Sequence, residues 1–201
     1  MIIEDKLEYT NEDFSDIKLS FKTINNCKFN SCSFKNTDMQ ELVTNKCQFI
    51  GCDFTSAKLN ASTHNNSAMT NCKFRFTNLF GASFIECKMV GSTFVETNIN
   101  GITIKGGDYS YTALRICNFK GLDLKYVRFA HADLYKCNFE KSDLRGADLT
   151  QAIVSQANFN GADLRDAKLS GIDLKNISFI KAKMDIEQAV LIAEAYGAIV
   201  G

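Results

Sequence analysis

The sequence predicts an all-β repeat solenoid closed by a short C-terminal α-helix. Three observations lead there. A five-residue period of large apolar side chains runs from Phe14 to Met184. A longer step of 20 residues sets like side chains over like. Beyond Met184 the period stops, and "DIEQAVLIAEAYG" takes a helical pattern instead.

The first segment, residues 1–13, precedes the period and is expected to form a loose N-terminal cap. It is acidic from its fourth residue and lacks the basic start and apolar stretch of a signal peptide. No apolar run approaches the roughly 18 residues of a transmembrane helix, so no membrane partner is expected. The chain's 23 acidic and 23 basic side chains balance, which gives no global pull toward nucleic acid. A cytoplasmic location is the expectation, and thiols there stay reduced.

The second segment, residues 14–184, holds 35 positions of the large phase, and only Thr44 and His64 among them are neither aliphatic nor aromatic. Two residues before each lies a second column, of which 26 in 35 are Ala, Ser, Thr, Cys or Gly. The other three phases are mostly polar. Steps of 20 collect Phe14, Phe34, Phe54, Phe74 and Phe94 in one ladder, and Phe119, Phe139, Phe159 and Phe179 in another.

All eight cysteines, Cys27 to Cys137, fall in the small column, where Ala147 to Ala167 stand further along. Pairs such as Cys27 and Cys32 have a spacing open to zinc. The column, however, alternates freely with alanine and serine. The cysteines are therefore expected to be small apolar filler, with no metal bound.

"ADLTQ", "ANFNG", "ADLRD" and "CNFEK" resemble pentapeptide repeats, a small residue, then Asp or Asn, Leu or Phe, and two polar residues. The resemblance covers about residues 14–184. It implies a right-handed quadrilateral β-helix with four repeats per coil and both the large and the small columns pointing inward. About eight and a half coils, each advancing roughly 4.8 Å, would make a stack near 40 Å long.

The third segment, residues 185–201, begins with Asp185 as an N-cap and Gln188 at capping-box spacing, and Gly197 suits a left-handed C-terminal residue. A helix is expected from about 186 to 196. Ile186, Val190, Leu191, Ala193, Tyr196 and, in the tail, Ile199 carry more apolar surface than capping one coil would consume. That surplus suggests a two-fold partner, a homodimer through this helix. The stretch from Glu187 to Val200 also resembles the C-terminal segment of the Qnr and MfpA branch, which implies end-to-end dimers.

Enzyme chemistry finds little support. Neither His64 nor His131 has a nucleophile motif nearby, and no P-loop or G-x-G-x-x-G occurs, so no cofactor is expected. Thr44 and His64 interrupt the large column in the weakest run of the repeat. The expectation is a local bulge that turns His64 outward or satisfies it with backbone; the alternative is a small recognition feature on that surface.

The branch resemblance implies a non-catalytic DNA mimic that occupies the DNA site of a type II topoisomerase, DNA gyrase or topoisomerase IV, with fluoroquinolone protection. Direct nucleic-acid binding is not implied. Asp123, Asp143 and Asp163 would form an acidic recognition ladder, with Asp133, Asp148 and Asp173 on other faces. Against it, Lys125, Arg145 and Arg165 share the ladder's face, and residues 17–131 carry 14 basic but 7 acidic side chains. The alternative is a repeat scaffold for another protein. A continuous acidic face would favour mimicry; a patchwork would favour the scaffold.

Overall fold

The computed structural model describes residues 3–200 and contains two compact units, residues 3–108 and 109–200. Met1, Ile2 and Gly201, at the ends of the expected cap and tail, lie outside the described residues.

In the first unit the chain winds through four sides per coil, and each rung pairs with the residue 20 positions on. Two sides carry three-residue strands in parallel sheets. One sheet contains β1 (Glu8–Thr10), β3 (Lys28–Asn30), β5 (Gln48–Ile50) and β7 (Ala68–Thr70). The other contains β2 (Thr23–Asn25), β4 (Val43–Asn45), β6 (Thr63–Asn65), β8 (Ser83–Ile85) and β9 (Thr103–Lys105). The remaining sides are single-residue rungs, Asp13–Ser33–Asp53–Lys73–Thr93 and Lys18–Asp38–Lys58–Asn78–Asn98. Inside, Phe14, Phe34, Phe54, Phe74 and Phe94 stack at 4.8–5.1 Å with nearly parallel rings.

The expected N-terminal cap of residues 1–13 is corrected here. Tyr9 sits in β1, stacks on Phe29 at 5.1 Å and opens the large column one repeat before Phe14. The Asp5 carboxylate accepts from the Asn25 amide and thereby starts an amide ladder through Asn45 and Asn65. The solenoid thus begins inside the segment expected to be loose.

The second unit has rungs of the same kind within itself, such as Asn118–Asn138–Asn158–Ser178, and ends in α1 (Ile186–Ala195). Gln188, the one buried residue of this helix, donates from Nε2 to the Ala167 carbonyl at 3.0 Å, and its Oε1 accepts from the Asp185 N–H at 2.7 Å. The helix therefore satisfies a carbonyl of the coil stack that would otherwise face solvent. Tyr196 donates to the Lys175 carbonyl at 2.9 Å, and Gly197 takes a left-handed φ of +90°.

Positions whose numbers end in 1 or 6, Asn176 apart, form a corner column in the left-handed region, from Lys6 through Lys181. Their backbone N–H groups donate to the next coil, as Phe21 does to Gln40 and Ile116 to Tyr135. This ladder holds non-glycine residues in a conformation that costs an L-residue about 1–2 kcal/mol in isolation.

Candidate protein-interaction surfaces

The small column does more than fill space. All eight thiols are buried. Cys72 donates to the Phe49 carbonyl at 3.3 Å, Cys87 to His64 at 3.2 Å and Cys137 to Leu114 at 2.9 Å, each 23 residues back. Thr37, Thr77 and Ser92 donate their hydroxyls to Phe14, Phe54 and Met69 in the same way. Cysteine is thus a weak donor as well as a filler, interchangeable with serine and threonine for that reason. Burial pushes the Cys47 and Cys87 thiols up to about 11 and Cys117 up to about 12. Among the described residues no three His, Cys, Asp or Glu side chains converge as metal ligands, and no helix is long and apolar enough to cross a membrane.

Thr44 and His64 are not a surface feature. Both are fully buried, and β4 and β6 pair in unbroken register with Thr44 opposite His64. The expected bulge does not form because side chains satisfy the imidazole where it lies. Ser62 gives its proton to the Leu59 carbonyl at 2.7 Å, which leaves its oxygen to accept from His64 Nε2 at 3.0 Å. The Thr44 hydroxyl then donates to Nδ1 at 2.7 Å, fixing a neutral ring. Burial lowers the His64 pKa to about 3. The ring also stacks on Phe84 at 4.9 Å, as a phenylalanine would in the same column.

In the second unit Asp123, Asp143 and Asp163 occupy one rung ladder, and their carboxylates are interleaved with cations. Lys125 lies 3.1 Å from Asp123 and 4.0 Å from Asp143; Arg145 reaches Asp143 at 2.7 Å; Arg165 reaches Asp163 at 2.6 Å. The Arg145 and Arg165 guanidinium groups hold the Asp143 and Asp163 carboxyls below the usual carboxylate range. On the other faces Arg115 and Arg128 stand 3.5 Å from Asp133 and Asp148. The face is a patchwork of charge, not a negative strip.

A second role for these aspartates was not legible in the sequence. Oδ1 of Asp133, Asp148 and Asp173 accepts the backbone N–H two residues on at 3.0–3.1 Å, and Asp123, Asp143 and Asp163 do so at 3.3–3.4 Å. Asn118, Asn138 and Asn158 make the same turn. The Asp or Asn of the repeat is there to build the corner.

At the C-terminal end the apolar residues are largely uncovered. Ile186 is 84% and Tyr196 65% exposed, and Ile199 is fully exposed. Val190, Leu191 and Ala193 are half-buried. All six residues thus lie on or beside one helix whose inward contact is made mainly through Gln188.

Two family models match the chain, a pentapeptide repeat region over residues 113–188 and pentapeptide repeats over residues 47–84. Comparison with curated proteins finds no match in sequence. Among solved structures the chain is similar to two trypsin-treated variants of QnrB1, a plasmid-mediated fluoroquinolone resistance protein. Identities are 23% and 24% and TM-scores 0.86 and 0.87, over 98% of this chain and 99% of those. Full-length QnrB1 matches at 22% identity and a TM-score of 0.72, over 97% of this chain and 99% of that one. At such identities the likeness is one of fold. Repeated five-residue turns, four-sided rungs and the terminal helix together identify the chain as a pentapeptide-repeat protein with the β-helical fold seen in QnrB1.

Proposed function

We propose that this protein is a non-catalytic, cytoplasmic partner of a type II topoisomerase that alters the enzyme's response to quinolones. One observation carries the reading: the fold matches that of a fluoroquinolone resistance protein over nearly the whole of both chains. The uncovered apolar residues of α1 support a homodimer joined at the C-terminal helices, the arrangement that the branch resemblance implies. The test is a DNA gyrase supercoiling assay with added protein, with and without quinolone. Relief of quinolone inhibition, or direct inhibition of supercoiling, supports the proposal; no effect in either arm refutes it.

The ion-paired aspartate ladder favours a second reading, a scaffold for a different protein. Duplex mimicry draws its attraction from uncompensated negative charge. Here the carboxylates of Asp143 and Asp163 are each bound by an arginine.

A further inference from the structure

The second unit carries an aromatic and cationic face on the side opposite the aspartate ladder. Its rung is Ala113–Asp133–Ile153, ten residues, or two sides of the coil, from Asp123–Asp143–Asp163. The Tyr111 and His131 rings stack at 4.6 Å along one edge. Toward the other edge the Arg115 guanidinium lies 4.7 Å over the Tyr135 ring, with Lys136 at 5.2 Å.

Tyr111 and Ile116 occupy corner positions at φ +58° and +65°, where glycine or asparagine is strain-free. Their side chains are nevertheless 61% and 70% exposed. Ile116 is the one β-branched residue among the described left-handed corners. Uncovered apolar side chains clustered beside aromatic rings are surface of the kind that a protein partner covers. Tyrosine and arginine, both present on this face, are residue types enriched in protein-binding hot spots.

Charge selects the partner. Arg115 and Lys136 outnumber Asp133, which is already paired with Arg115. Exposed aliphatic surface at Ile116 and Ile153 serves no purpose in base stacking and suits an apolar side chain of a protein. We propose that this face docks an acidic, apolar segment of a protein partner, an inference that does not rest on the topoisomerase reading.

Fluorescence anisotropy with the full chain tests it. The probe is a labelled peptide of alternating glutamate and phenylalanine; a lysine-for-glutamate peptide and an oligothymidine are the comparisons. The acidic peptide should bind saturably, and Ile116→Gly and Arg115→Glu should each weaken it about tenfold or more. Asp143→Asn, on the opposite face, should leave binding unchanged. Ile116→Gly should also raise Tm, because it relieves backbone strain, so lost binding cannot be ascribed to lost fold. No acidic-peptide binding, equal binding by Ile116→Gly and Arg115→Glu, or a preference for the lysine peptide would overturn the proposal. Oligothymidine binding abolished by Tyr111→Ser would replace the protein partner with nucleic acid and overturn it too.

Discussion

The Thr44 hydroxyl and His64 Nδ1 lie 2.7 Å apart in the core, one coil above the other. This bond and that to Ser62 allow a histidine to occupy a phenylalanine position. They satisfy the neutral ring, and burial disfavours the charged one, which gives stability a definite pH dependence. Burial depresses the folded-state pKa of His64 to about 3, against about 6.5 in an unfolded chain. The unfolded state therefore binds a proton first as pH falls. Stability should drop by roughly 1.4 kcal/mol per pH unit between about pH 6 and pH 3 from this residue alone. Carboxylates held low by their partners, Asp143 and Asp163 among them, add to acid sensitivity at lower pH. His64→Phe should isolate the histidine share: urea melts at pH 7 and pH 5 should converge for the variant and differ for the wild type.

Replacing Cys32, Cys52 and Cys72 together by alanine should keep the β-rich circular dichroism and cost about 1–3 kcal/mol in lost packing. The serine triple variant should recover part of this, because each hydroxyl can donate to the carbonyl 23 residues back, as Ser92 does. Equal melts for the two variants would remove the hydrogen bond from the role of the column. Stoichiometric zinc in the purified protein, lost in either variant, would restore the metal reading.

Phe54→Asp should prevent folding, since it puts an unpaired carboxylate between the stacked rings of Phe34 and Phe74 and beside the edge-on ring of Phe49. Asp143→Asn should move Tm little: an asparagine Oδ1 accepts the same corner N–H, and surface ion pairs of this kind contribute about 0–1 kcal/mol. Thermal melts of the two variants decide it. A large loss in Asp143→Asn would mean that the Arg145 pair, not the corner bond, holds that face.

Leu191→Glu should favour monomers, because two-fold association places the new charge in the interface of both copies. Light scattering would follow mass and the supercoiling assay would follow function. A monomeric wild type removes the dimer; a monomeric variant with an undiminished gyrase effect separates the dimer from the activity.

The inward columns were legible in the sequence because burial imposes the same demand at every turn. Phe14 through Phe94 announce their stack by type alone. Tyr9 obeys the same phase, but acidic neighbours hid it. The corner column was silent: the backbone ladder fixes φ there whatever the side chain, so Ile116, Lys136 and Asn71 all serve. His64 misled because a polar residue was expected to leave the core, whereas Thr44 and Ser62 supply partners there. The aspartate ladder's register was readable, but its neutralisation depends on where Lys125, Arg145 and Arg165 extend, and so does any claim to mimicry.

The Gln188 contact with the Ala167 carbonyl has a consequence for growth of the stack. Parallel rungs carry no internal stop, and an unblocked last coil could accept the first coil of another molecule. The helix closes that edge to filaments while leaving the repeat free to lengthen. Because every rung repeats after 20 residues, adding or removing whole coils preserves each ladder, so the chain can change its reach only in quantised steps.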